Sequence, residues 1–286
     1  MSTIAHSTPN KPAPWRATFL EHINKMPSPE FVFTSLAVAP KGSPTPYVPR
    51  ARYCIYRGLW TELPENKHNT AEKNPRVYES DMPTFTSDVR MQKVGQVFGS
   101  SAGHADSDEQ VQGSGGGGPV EAVWWVKDED IMTQWRMRGE AFVVGPDIES
   151  AESEEPGGGK DRSGVRTTKS ELGKRMRVVD EEKEGEWSWK RELTGHFGNL
   201  SPGMRGSFAA PPPGMPKDKK FDDEHLGLGK KITENEDPVA GQNFRVVVIK
   251  PEFVEQCYIG DPNNSWRMKY TYDDSTGDWK TEETWP

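Results

Sequence analysis

Three arginines crowd one short stretch, Pro49-Arg-Ala-Arg-Tyr-Cys-Ile-Tyr-Arg-Gly58. A guanidinium fork matches phosphate oxygens, so cations held on a rigid element suit a phosphate. Tyr53, Ile55 and Tyr56 make that element a β-strand. Side chains alternate along a strand, so Arg50 and Arg52 share one face. Arg57, five residues after Arg52, points to the other face or lies at a bend beside Gly58. An edge strand that carries charge to discourage aggregation has the same composition. On this stretch alone the plainer role is favoured.

A second cationic group follows in Thr86-Ser87-Asp88-Val89-Arg90-Met91-Gln92-Lys93. Hydroxyls at the end of a short strand, then Arg90 and Lys93 near a helix start, can donate to a phosphate together with backbone N–H groups. A solvated helix face is the plainer alternative. Gln134 opens a later strand and offers both a donor and an acceptor, which suits the mixed edge of a heterocycle; an ordinary strand glutamine looks the same. Other chemistries find little support. No Walker-type loop occurs. The six histidines are scattered without metal-ligand spacing, and two cysteines are too few for a structural zinc site.

These residues must be positioned by a chain of 286 residues with 33% hydrophobic content and a net charge of −8. Ten tryptophans and eleven phenylalanines demand a real core, so the packed part is nearer ~200 residues, interrupted by polar inserts. The acidic balance argues against nucleic-acid binding but leaves room for a locally basic pocket. No apolar run approaches the ~18–20 residues that cross a bilayer, and no secretory signal is visible at the N-terminus. The expectation is a cytoplasmic protein with no membrane partner and reduced cysteines.

Residues 1–11 read as a disordered tail and 12–286 as a single domain. Trp15, Phe19 and Ile23 predict a helix over Trp15 to Lys25. Strands are predicted at Phe31–Val38, over the arginine run, at Thr84–Asp88, Val120–Val126, Gln134–Val144, Phe244–Ile249 and Phe253–Ile259, with Trp266–Tyr272 the last. Flexible polar inserts are expected at about 99–118, 146–186 and 216–241, and a short helix over Trp187–Phe197. These strands with few helices predict a mainly β fold, a β-barrel or sandwich rather than βαβ units.

Taken in order, five blocks resemble the FMN-binding split-barrel family of pyridoxamine 5′-phosphate oxidases, most closely its Alr4036-like branch. They are Arg52-Tyr-Cys-Ile-Tyr-Arg57-Gly58, Phe85 to Lys93, Val120 to Trp125 with Gln134 to Gly139, Leu200 to Gly214, and Trp279 to Pro286. The resemblance implies a split barrel with polar insertions, an FMN cofactor and a homodimer with FMN at the subunit interface. It assigns Arg52, Thr86, Ser87, Arg90, Lys93, Gln134, Arg205, Ser207 and Arg267 to the cofactor, and Arg57 to the phosphate of a small-molecule substrate. It implies no metal. Several family features are missing. The Tyr-x-x-x-Arg-x-x-x-Ser substrate run is not found, nor is the Arg-x-His element around Ser265 to Lys269. Tyr258 stands where the oxidases use a flavin-flanking tryptophan, and Glu283 where they use an arginine. The implied activity is an FMN-dependent oxidoreductase; a flavin- or haem-binding protein without turnover (carrier, sensor or vestigial relative) is the alternative.

Overall fold

Trp15, Phe19 and Ile23 fall every four residues, and they supply the buried side of helix α1 (Arg16–Asn24) and its N-cap. The structure, a computed structural model, describes residue 9 and residues 11–101, 113–128, 131–149 and 163–286. After α1 comes β1 (Glu30–Val38), whose Phe31, Phe33 and Ser35 alternate inward. It pairs with β2 (Tyr47–Ile55), the arginine strand. Short strands β3 (Tyr78–Ser80) and β4 (Thr84–Asp88) lead to helix α2 (Gln92–Gly99). A long hairpin follows, β5 (Gly115–Asp128) with β6 (Ile131–Val144). Next are α3 (Ser163–Gly173), β7 (Met176–Val178), α4 (Trp189–Gly198), α5 (Pro202–Ser207) and α6 (Pro238–Asn243). Strands β8 (Phe244–Tyr258), β9 (Trp266–Asp273) and β10 (Asp278–Thr284) complete the order.

The main sheet is antiparallel, in the order β10-β9-β8-β6-β5-β1-β2. One edge of β8 serves two strands: Phe244–Val248 pairs with β4, and Phe253–Tyr258 pairs with β9. The ring closes just past β2. Arg57 N–H donates to the Thr84 carbonyl at 2.8 Å, and Thr84 N–H donates to the Gly58 carbonyl at 2.9 Å. Inside lies an aromatic core in which Phe31, Phe33, Phe85 and Trp124 pack with Trp135 and Phe19. A second core covers the outer side of β6 and β8, where Phe142, Val144, Val246 and Val248 meet α3 to α6. Strand β3 pairs with β7 in a separate two-stranded sheet. Asp81 ties that sheet to α1: it accepts from Ala13 N–H, Arg16 and Arg177.

Several sequence expectations change. The two strands expected around Lys250-Pro251-Glu252 are one strand, β8. The register with β6 shifts between Arg138 and Gly139, and a bulge is where a strand tolerates proline. Strand β10 was not expected because its sequence, Asp-Trp-Lys-Thr-Glu-Glu-Thr, offers only Trp279 as an apolar anchor; it lies at the sheet edge. The insert expected at 146–186 contains α3 and β7, held by buried Val165, Leu172 and Met176. The insert expected at 99–118 ends in strand: Gly115–Gly118 belong to β5 and pack under α2. A Cβ at Gly118 would lie 2.3 Å from the Val97 carbonyl oxygen, so that packing needs glycine. Most of the expected tail (1–8 and 10) and residues 102–112 and 150–162 of the two inserts lie outside the described residues. Residues 216–237 form no helix or strand.

Helix α4 carries Glu192 and His196 into the second core. Glu192 accepts from Asn74 Nδ2 at 2.9 Å and from the N–H of Thr61, whose φ of 72° is unusual for a β-branched residue. Burial pushes the Glu192 carboxyl up to about 7. Burial, with the charge of Arg57, pushes His196 down to about 3. Glu192 Oε1 and His196 Nε2 stand 3.8 Å apart, beyond hydrogen-bond reach.

Two outcomes follow from these packings. A Cβ at Gly139 would sit 2.0 Å from the Lys250 carbonyl oxygen. Gly139→Ala is expected to destabilise the fold by about 1–3 kcal/mol in urea titrations, and an unchanged midpoint would count against the bulge. Glu192 is protonated in the folded state at low pH, so its burial penalty grows as pH rises from about 4.5 to about 7. Glu192→Gln is expected to gain stability relative to the parent by up to about 3 kcal/mol over that range. A difference that does not change with pH would show that Glu192 is ionised in the fold throughout.

Candidate functional site

Arg52 lies opposite Phe33 in the β1–β2 register, so its side chain rises from the core side of the sheet. It crosses β1 toward α2. Its Nη1 donates to Ser35 Oγ at 2.7 Å and its Nη2 to Gln96 Oε1 at 2.6 Å, while Ser35 Oγ donates to the same Gln96 oxygen at 2.8 Å. Lys93 sits in the first turn of α2, one helical step before Gln96, and reaches Ser87 Oγ at 3.4 Å. Cys54, between the two cations, has its thiol pushed up to about 11 by burial, against the pull of Lys93 and Arg52. Burial lowers the Lys93 ammonium's pKa and Arg52 adds to the fall, while Cys54 and Asp88 act in the opposite sense. Burial likewise lowers the Arg52 guanidinium's pKa, with Arg50 adding to it.

Arg52 and Lys93 are therefore neighbouring cations whose hydrogen-bond acceptors are all neutral. No side chain caps the start of α2. Two half-buried cations, a hydroxyl and an open helix start form a donor set that matches a phosphate dianion. The residues present fit the phosphate of FMN.

Other expected residues are placed differently. Thr86 alternates with Ser87 on β4 and faces the opposite side of the sheet, toward the second core. Arg90 is committed within the chain: it grips Asp88 with two nitrogens, at 2.6 and 2.9 Å, and donates to the carbonyls of Phe208 and Ala210. It fixes the turn before α2. Arg205 is buried, and its guanidinium donates to the carbonyls of Gly198, Leu200, Thr233 and Glu234. This arginine ties the α4–α5 corner to the loop before α6. Ser207, at the exposed end of α5, donates back to Met204 O at 2.7 Å.

Gln134 pairs with Cys257, which pairs with Arg267, so Gln134 and Arg267 stand in one row across β6, β8 and β9. Trp135, next to Gln134, is buried inside the barrel, so this row lies on the outer face, beside the half-exposed Trp125. Glu255 on the same face holds Arg267 at 3.7 Å and Arg136 at 3.6 Å. The structure thus brings Arg52, Ser87 and Lys93 together and leaves Gln134 and Arg267 on the other side of the sheet.

Arg57 lies past the end of β2, in a cavity of about 440 Å³ that it shares with Tyr56, His196, Asn66 and Asn199. Its Nε is buried without a hydrogen-bond partner, and burial lowers its pKa. The plane of Trp60 stacks on His196 at 5.8 Å behind it. Ser35 and Gln96 are the residues near these arginines that sequence reasoning missed. For Gln96 a signal existed in its i, i+3 spacing from Lys93 on one helix face. For Ser35 it lay in the alternation of β1.

Residues 12–145, from α1 through β6, match the family model described as pyridoxamine 5′-phosphate oxidase, FMN-binding domain. No curated protein matches the chain. Among solved structures, a pyridoxamine 5′-phosphate oxidase-related, FMN-binding protein from Nostoc punctiforme is 16% identical, with a TM-score of 0.55; the match covers 96% of this chain and 100% of that one. PhzG from Burkholderia lata, solved with tetrahydrophenazine-1-carboxylic acid, is 11% identical with a TM-score of 0.44, over 98% of this chain and 100% of that one. The strand order, the barrel closure and the first of these structures agree on the fold expected from the sequence, a mainly β split barrel with few helices. Residues 12–145 are thus similar to the FMN-binding domain of the pyridoxamine 5′-phosphate oxidases, and the chain shares the fold of the Nostoc punctiforme protein.

Proposed function

We propose that this protein is a flavoprotein that binds FMN, and that it acts as an oxidoreductase. The observation that carries the reading is the pair Arg52 and Lys93, with Ser87, at the uncapped start of α2. On this reading these residues hold the cofactor's phosphate. Bound FMN supplies two-electron chemistry at its ring, so the chain needs no acid–base triad of its own. Its residues bind, orient and exclude water. Gln134 and Arg267 supply hydrogen-bonding groups to the ring from the outer face. Because that face is turned away from Arg52, one copy cannot offer both groups to one FMN. A homodimer with two shared sites resolves this, and the exposed Trp125 beside Gln134 would be covered in it.

Arg57, in a cavity it shares with Glu65, Asn66 and His196 and with its Nε unpartnered among the described residues, is assigned to the phosphate or carboxylate of a small-molecule substrate. A flavin carrier or sensor without turnover is the second reading. It is favoured by the absence of the family's Tyr-x-x-x-Arg-x-x-x-Ser run and by the placement of Arg57 in a cavity that Arg52 does not line.

The purified protein is expected to be yellow and to release FMN on denaturation. Arg52→Ala is expected to weaken FMN affinity by at least about tenfold, since a charge-assisted contact is worth about 1.5–3 kcal/mol. A colourless protein that takes up no added FMN would sink the flavin reading, and unchanged affinity would remove Arg52 from the site. Oxygen-dependent conversion of pyridoxamine 5′-phosphate, followed by peroxide release, separates the two readings. Product lost in Arg57→Ala, with FMN retained, would support the enzyme.

A further inference from the structure

A second cavity, about 510 Å³, opens between β3, β7 and the start of α4, away from the residues assigned to FMN. Its walls include Tyr78, Trp187 and Trp189. The rings stand at right angles to one another. Tyr78 and Trp187 are 5.4 Å apart at 90°, and Trp187 and Trp189 are 5.2 Å apart at 84°. All three are only partly buried: they pack against the second core on one side and line the recess on the other. We propose that this recess binds an organic cation of the methylated-ammonium class.

Three features select that chemistry. Trp and Tyr faces carry negative quadrupole charge and attract a cation lying against them, whereas the ring edges are positive and do not. The segment that supplies Glu184 to the recess is acidic: the run from Asp180 to Glu186 holds five carboxylates and one lysine, and that lysine, Lys183, is paired with Asp180 at 3.0 Å. Glu184 from this run lines the recess and accepts from the Tyr78 hydroxyl at 2.8 Å, which places a carboxylate at the edge of the aromatic walls. Arg177 also lines the cavity, but its charge is spent on Asp81, which it grips through two nitrogens. The field inside is therefore set by the rings and the carboxylates. A methylated ammonium has few or no N–H groups to leave unsatisfied, so it loses little on entering an aromatic recess, whereas a primary ammonium gives up strong hydration. An anion meets Glu184, and a neutral apolar guest gains nothing from it.

The test is isothermal titration calorimetry of the full-length protein with choline and with tetramethylammonium. The uncharged isostere 3,3-dimethylbutanol serves as the control. Saturable binding of both cations is expected, with the isostere at least about tenfold weaker. Trp187→Ala should weaken choline binding by about tenfold or more, and Glu184→Gln by a few-fold, with FMN content unchanged in both. Trp187→Phe keeps an aromatic wall and is expected to retain binding, so it holds the test open if the alanine variant does not fold. Equal affinity for choline and its isostere would make the recess merely apolar and overturn the proposal. So would no saturable heat with either cation, or choline binding that survives in a folded Trp187→Ala.

Discussion

The molecule hinges on one short seam, the hydrogen bonds between Arg57-Gly58 and Thr84 that turn a seven-strand run plus β4 into a closed barrel. Thr84 serves it three times: its carbonyl takes the Arg57 N–H, and its N–H and Oγ1 both donate to the Gly58 carbonyl. Gly58 sits at a φ of 106°, and a Cβ there would lie 2.6 Å from Pro64 Cδ. Only glycine makes that bend without strain. The bend ends the alternation of β2 and fixes where its arginines go. Arg52 remains on the core side with α2, and Arg57 is delivered to a different cavity against α4.

Buried arginines recur through this fold, and the nature of their acceptors tells their roles apart. Arg205 is saturated by four backbone carbonyl groups, Arg90 by a carboxylate and two carbonyls, Arg177 by Asp81. Such groups hold the chain together, and removing one strands its acceptors. Arg52 touches neutral oxygens, and the Arg57 Nε has no hydrogen-bond partner among the described residues. A cation placed in a partly dry pocket with its charge uncompensated is unfavourable until an anion arrives. The same contrast explains why an acidic protein can still present a local anion site: the acceptors around Arg52 are neutral, and an exposed acidic run such as 180–186 lies on a different element.

The barrel was legible in the sequence because its strands obey simple rules. Phe31, Phe33 and Ser35 alternate, as do Val120, Ala122 and Trp124, and Trp15, Phe19 and Ile23 keep a helical period. Elements that draw their burial from partners elsewhere were not legible. Helix α3 and β10 are polar sequences that fold onto neighbours, and β8 survives a proline because β6 shifts register opposite it. Within the candidate site, Arg52, Ser87 and Lys93 could be read because local spacing puts them on converging elements. Arg90 reads the same way, yet its partner Ala210 lies 120 residues along the chain, and no local pattern announces such an acceptor. The opposite facing of Thr86 and of Gln134 follows from strand parity, once the register with β8 is known.

The glycine run at the start of β5 has a consequence for motion. Ordering a glycine in a strand costs roughly 0.5–1 kcal/mol more than ordering an alanine, so Gly115–Gly118 withdraw about 2–4 kcal/mol from the docking of α2 on β5. That dock is a seam of low local stability, the kind of place where a fold breathes before it unfolds. Opening it carries Lys93 and Gln96 away from Arg52 together, because both ride on α2. A phosphate spanning Arg52 and Lys93 would stitch the seam shut. Occupancy of the site and closure of this helix on its strand would then be a single equilibrium, with hydrogen-exchange protection of α2 reporting both.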